Sequence, residues 1–285
     1  GRDQVRVVAC DERQRMRVDE LVKQIEEDKE HGFRPFCVVA SAGTVNTGAI
    51  DPLAEIAEVA AEFELWLHVD GAYGAPGAMV ERKAPLFAGL ERADSVSLDP
   101  HKWLYVPVDA GCLLFRDPAA AVAAFSTEEA DYIKVHGLTE DAAFAYWDYG
   151  VELSRRFRAL KVWLTLGYYG ARRLAEAIEE DVSLAAYLGE LVSQADDFEL
   201  LAPVELSICC FRYVPPRKFN EHELNELNER IMAAVQKDGR AYLSNATVNG
   251  KFALRACITN FRTTTADLEQ TLDVVREVAR QLGYG

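Results

Sequence analysis

Basic charge is in short supply in this sequence: 31 lysines and arginines stand against 46 aspartates and glutamates, a formal net charge of −15. A polyanion-binding surface needs a basic stripe along one face, and no stretch supplies one, so no nucleic-acid partner is expected. Apolar runs of membrane-spanning length are also missing, because charges interrupt the hydrophobic stretches well short of it; a soluble protein with no membrane partner is expected. The six cysteines include the neighbours Cys209 and Cys210. They show neither paired CxxC spacing for zinc nor the density of a disulfide scaffold, so no metal site is expected and they read as reduced thiols of a cytoplasmic protein. Residues 1–16 lack an apolar segment behind a basic start, which a signal peptide would require.

What is present is a chain of 285 residues, 49% of them hydrophobic, enough to bury one large core or a large and a small one. Small-molecule chemistry is the expected business of such a chain. It opens with a short strand expected over 5–9 and runs straight into a helix over 18–31, where Val18, Leu21, Val22 and Ile25 keep helical spacing, as though entered mid-domain. A β-branched run at 36–41 leads through the loop AGTVNTG to a helix that starts at Asp51, with Pro52 in its first turn and Asp51 as expected N-cap. A second apolar run follows at 65–70. Strand, helix, strand in this order is the mark of a parallel sheet. Further strands are expected at 95–98 and 111–115, the latter as an antiparallel edge.

Residues 117–150 change in texture and predict short helices joined by a long mobile loop. Two consecutive helices are expected over 153–170 and 171–195. Beyond them come a strand at 204–212, a helix at 221–237, strands at 241–244 and 251–258, and a helix at 265–282, which make a small α+β unit. The expected organisation is therefore the C-terminal part of a large α/β domain over 1–150, connecting helices over 151–195, and a small C-terminal domain over 196–285.

Two local features carry chemistry. Asp70 ends the second apolar run, and in a parallel sheet the C-terminal strand ends face the ligand crevice, although a strand-ending aspartate also often just caps a turn. Lys102 follows the next run, flanked by Pro100, His101 and Trp103, a setting that would partly desolvate it and favour the nucleophilic amine; a surface lysine beside an aromatic is the plainer alternative. Together they meet a specific need. Pyridoxal 5'-phosphate (PLP) chemistry requires a carboxylate against the pyridine nitrogen and a lysine for the Schiff base, and here the two arrive on neighbouring strands.

The strings LHVDGAYG at 67–74 and DSVSLDPHKW at 94–103 resemble the cofactor-binding core of the group II PLP-dependent amino-acid decarboxylases, of aspartate-aminotransferase fold type. The likeness extends to SAGTVNTG at 41–48, RRFRALK at 155–161 and FALRACI at 252–258. It implies an enzyme that converts an L-amino acid to its amine and CO2, with Lys102 as the Schiff-base lysine, Asp70 on the pyridine nitrogen, Ala72 packed on the ring, and His101, Asp99 and Thr44 as further cofactor contacts. Counting back from Arg155 puts Tyr146 where the family carries a loop tyrosine that gives a proton to Cα. Tyr73 and the 155–161 string are similar to the aromatic-amino-acid branch. The resemblance also implies a homodimer, and a segment N-terminal to residue 1 that supplies the ring-stacking histidine, since none of His31, His68, His101, His136 and His222 has the matching context. Arg255 could bind a carboxylate, as the matching region does in aminotransferases, but reads rather as structural, since a decarboxylase needs the carboxylate turned toward an apolar pocket. The alternatives are a glutamate or other acidic amino-acid decarboxylase, an aromatic aldehyde synthase with phenylalanine in place of the loop tyrosine, and an idle binding subunit.

Overall fold

The computed structural model describes residues 1–126 and 145–284. Its first sheet has the order β1 (Cys37–Ser41), β2 (Trp66–Asp70), β3 (Ser95–Leu98) and β4 (Cys112–Phe115). The pairs β1·β2 and β2·β3 are parallel, and β4 closes the edge antiparallel to β3. Pairing sets Ser41 beside Asp70 and Asp70 beside Ser97, so three polar side chains line up along one end of the sheet. Alternation explains the burial: Val38, Ala40, Leu67 and Val69 turn into the core, where Leu53, Ile56 and Ala60 of α2 (Leu53–Glu62) meet them. Helix α1 (Val18–Glu30) adds Leu21 and Ile25 to the same core.

Two expectations near the N-terminus fail. Residues 5–9 form no strand; a 3-10 turn at Arg2–Gln4 and an isolated bridge from Cys10 to Met16 stand there instead, and Val7 is 91% exposed. An extended run becomes a strand only where a sheet edge receives it. Asp51 does not cap α2, whose N-cap position is Pro52. Its buried carboxylate instead accepts from the backbone N–H of Met16 and of Ser41, both at 2.7 Å, and so ties the N-terminal arm to the end of β1. Desolvation raises its pKa even though these two donors pull it down.

Helix α3 (Pro118–Phe125) follows β4, its N-cap Asp117 accepting from the Ala119 N–H; residues 127–144, on which most of the expected mobile loop falls, lie outside the described residues. Helix α4 (Arg158–Gln194) breaks its helical geometry at Gly170, with φ 74° and ψ 160°, where the two expected helices meet; only glycine holds such a φ without strain. Beyond the kink α4 is amphipathic. Ile178 and Val182 enter the core of the first sheet, while Leu184, Ala185, Leu188 and Val192 enter that of the second.

The second sheet is wholly antiparallel, in the order β5 (Phe198–Leu200), β6 (Ile208–Tyr213), β8 (Lys251–Cys257), β7 (Ser244–Val248). All six residues of β6 are buried. The sheet is covered by α5 (Glu221–Asp238) and α6 (Thr265–Gln281), which begin with the reciprocal capping boxes Asn220/Glu223 and Thr264/Asp267.

Candidate active site

Asp70 stands at the last position of β2, with its carboxylate exposed. Oδ1 accepts from the Ala72 N–H and from the Ser97 hydroxyl, each at 3.0 Å, which aims the carboxylate along the sheet end and leaves Oδ2 for a further partner. Asp99 follows β3, and its N–H donates to the Ala72 carbonyl at 3.1 Å. Three residues on, Lys102 extends its amine to Asp99 Oδ2 at 2.7 Å. The structure thus joins Asp70, Ala72, Ser97, Asp99 and Lys102 through one run of short contacts. Sequence context suggested a desolvated lysine, but the Lys102 side chain is 41% exposed. Its neighbours Pro100 and Trp103 are buried, Trp103 as part of the core.

The loop after β1 sits against this group. The Ala42 N–H donates to the Asp70 carbonyl at 2.8 Å, and Gly43 approaches Gly74 so closely that a Cβ on Gly74 would stand 2.3 Å from the Ala42 carbonyl oxygen and 2.7 Å from Gly43 Cα. Thr44 Oγ1 is 3.1 Å from Thr47 Oγ1, closing the loop on itself. Arg255 binds the loop from the second sheet, through Nε to the Asn46 carbonyl at 3.2 Å and Nη1 to the Ser244 hydroxyl at 3.1 Å. That geometry agrees with a structural arginine. His101 is turned to backbone, its Nδ1 2.7 Å from the Ala110 carbonyl oxygen.

Tyr146 is placed elsewhere, at the start of the 3-10 turn Tyr146–Tyr149, which packs against α3. Its side chain is 68% exposed, and its carbonyl accepts from Arg155 Nη1 at 3.3 Å.

Three buried supports escaped the sequence reading. Tyr73 stacks on Trp103 with centroids 5.1 Å apart and planes at 14°. Its hydroxyl lies 2.5 Å from Ser207 Oγ and accepts from the Ser207 N–H at 3.0 Å; burial raises its pKa. Asp181 of α4 accepts from Trp103 Nε1 at 2.9 Å and from the Tyr105 hydroxyl at 2.6 Å. Desolvation pushes the Asp181 carboxyl up to about 6, against the pull of those two donors. A signal was available for this one: Asp181 falls between Ile178, Val182 and Ala185 on the apolar stripe of its helix, and a carboxylate there needs a polar partner.

The chemistry of this donor set fits PLP: an exposed carboxylate with one oxygen unused among the described residues, an exposed amine on the turn that follows the next strand, and the small residue Ala72 linked to both. Comparison with known proteins agrees. Residues 2–214 match the family model described as the pyridoxal-dependent decarboxylase conserved domain. An aromatic-L-amino-acid decarboxylase of Bacillus atrophaeus is 38% identical over 275 residues, 96% of this chain and 57% of that protein. A phenylacetaldehyde synthase of Petunia hybrida is 32% identical, over 93% of this chain and 53% of its own length. Among solved structures, Oryza sativa TDC with PLP and tryptamine superposes with a TM-score of 0.90 at 29% identity, covering 98% of this chain and 58% of the other. The chain therefore spans little more than half the length of these relatives. Family match, fold and the placing of Asp70 and Lys102 converge: this chain belongs to the pyridoxal-dependent decarboxylase family.

Proposed function

We propose that the protein containing this chain is a PLP-dependent carboxy-lyase that converts an L-amino acid, aromatic by preference, to its amine and CO2. The observation that carries the reading is the Asp70 carboxylate and the Lys102 amine at the C-terminal ends of adjacent parallel strands, linked through Ala72, Ser97 and Asp99. PLP, when bound, supplies an electron sink for the pair left on Cα as CO2 departs. Lys102 contributes the amine that holds the cofactor covalently, and Asp99 holds that amine at the sheet end. Asp70 keeps a proton on the pyridine nitrogen, held in place by Ser97 and the Ala72 N–H. Ala72 offers a flat, small contact for the ring, and His101 and Thr44 stand as further cofactor contacts. Tyr146 is the candidate donor of the proton that Cα needs, on the strength of the family resemblance.

The aromatic preference rests on relatives named as aromatic-L-amino-acid, tyrosine and tryptophan decarboxylases. An aldehyde-forming outcome is the second reading, because relatives named as phenylacetaldehyde and 4-hydroxyphenylacetaldehyde synthases match as well; the ionisable hydroxyl of Tyr146 favours plain protonation. A second subunit would cover Trp163, Leu164, Tyr168 and Tyr169, an exposed apolar group on the first half of α4, so we read the enzyme as a homodimer. The six free cysteines fit a reducing, cytoplasmic setting.

The test is borohydride reduction of the holoenzyme followed by peptide mass analysis, together with amine and CO2 release from tryptophan, tyrosine, dopa, phenylalanine and glutamate. Cofactor fixed on Lys102 and release from the aromatic substrates are expected. Fixation on another lysine, or no fixation, refutes the assignment, and Lys102→Ala should abolish both signals.

A further inference from the structure

Asp181 takes no part in the chemistry proposed above, yet it is 1% exposed and touches the lysine-bearing turn at two points. One oxygen, Oδ2, receives both Trp103 and Tyr105, the residue beside Lys102 and the third after it. The backbone of that turn closes through Lys102 N–H to the Asp99 carbonyl at 2.9 Å and Tyr105 N–H to the Lys102 carbonyl at 3.3 Å. Tyr105 has φ 56°, a left-handed conformation that a bulky residue keeps only where its surroundings impose it. Here the Asp181 contact imposes it from the side-chain end, while Tyr73 stacks on the face of the Trp103 ring whose edge Asp181 holds. Lys102 itself, by contrast, has a long flexible stem and an exposed head.

Stability alone does not account for the carboxylate. Apolar residues at 181, 103 and 105 together would extend the core without polar groups to satisfy, whereas an ionised group at 181 carries a desolvation cost that raises its pKa. Buried groups that work against stability mark places where geometry matters more.

We propose that Asp181 is a positioning residue for Lys102: by holding Trp103 and Tyr105 on one oxygen, it fixes the turn that aims the lysine amine at the cofactor. The proposal rests on Lys102 being the cofactor lysine. The holoenzyme is compared with Asp181→Leu and Asp181→Asn, since asparagine keeps an acceptor oxygen and leucine keeps only volume. Three quantities are read: the rate at which added PLP becomes reducible onto Lys102, kcat and KM for an aromatic amino acid, and hydrogen exchange of the amides of residues 99–106 in cofactor-free enzyme.

In Asp181→Leu, attachment to Lys102 should slow about tenfold, the order set by losing two hydrogen bonds. Its kcat should fall with KM little changed, exchange at 99–106 should rise, and the melting temperature should drop, because the Trp103 indole N–H and the Tyr105 hydroxyl lose their acceptor. Asp181→Asn should recover most of each loss. Attachment, kcat and exchange all at parent values in the leucine variant would overturn the proposal, as would an asparagine variant as impaired as leucine. Should leucine fail to fold, the asparagine variant decides: parent-like attachment and exchange support the proposal, and loss of both overturns it. Failure of the parent itself to fix PLP on Lys102 would instead refute the cofactor assignment, and the exchange measurement separates the two because it needs no cofactor.

Discussion

Removing the Tyr73 hydroxyl perturbs the support of the site at one point whose energetics can be worked out. In Tyr73→Phe the ring remains, so its stack on Trp103 at 5.1 Å is kept. Two contacts disappear: the 2.5 Å pair with Ser207 Oγ and the 3.0 Å bond from the Ser207 N–H. Ser207 is fully buried, so its orphaned N–H and hydroxyl have no water to turn to. An unsatisfied buried polar group costs about 1–3 kcal/mol, and because the hydroxyl can rotate toward another acceptor, a total of about 2–4 kcal/mol is expected. Ser207→Ala removes only the first contact and leaves the N–H bonded to the phenol, so about 1 kcal/mol is expected from it. Urea unfolding of the two single variants and the double variant gives the coupling directly. A loss under about 0.5 kcal/mol in Tyr73→Phe, inside the range of ordinary surface changes, would show that the hydroxyl does not bridge the strand end to the second sheet.

Other consequences can be measured alongside. Asp70→Asn should still bind PLP but lose turnover by about 10²–10³-fold, the usual scale for removing one preorganised electrostatic partner; near-parent kcat would take Asp70 out of its role. Tyr146→Phe should keep cofactor and substrate binding while amine release collapses and aldehyde with ammonia and peroxide appears under oxygen; amine released at the parent rate would exclude this phenol as proton donor. The Asp181 carboxyl is raised in the folded state, so the fold holds that proton more tightly than the unfolded chain does. Its stabilising effect is present below the ordinary aspartate range and fades as pH climbs through about 6, a span of about 3 kcal/mol at 1.4 kcal/mol per unit. Asp181→Asn should flatten that part of the pH–stability curve in urea titrations between pH 4 and 6.5, and an unchanged slope would contradict the burial argument.

The parallel half of the fold was legible because its signals are local. The runs that became β1 and β2 alternate with an amphipathic helix, and the strand-to-loop transitions after Asp70 and Leu98 place chemistry at a sheet end. The antiparallel edge β4 and the break at Gly170 could also be read locally. The remainder depends on partners distant in the chain. Residues 5–9 have the composition of a strand but no edge to join, Asp51 finds backbone donors at Met16 and Ser41 in place of its own helix, and the three-residue β5 exists only because β6 is beside it. Lys102 and Asp70, the proposed site residues at one end of the first sheet, were singled out by type and position. Ser207 was not, since it lies 134 residues from Tyr73 and nothing near it in sequence announces the contact.

The backbone contact between Gly43 and Gly74 has a bearing on how this scaffold can be redesigned. Each loop leaves no room for a side chain on the other, so positions 43 and 74 tolerate no diversity, and a shift in either loop must move both. Substitutions in this region would therefore best be placed at the exposed Val45 and Asn46, treating the two loops as a single unit whose contact stays fixed while its rim changes.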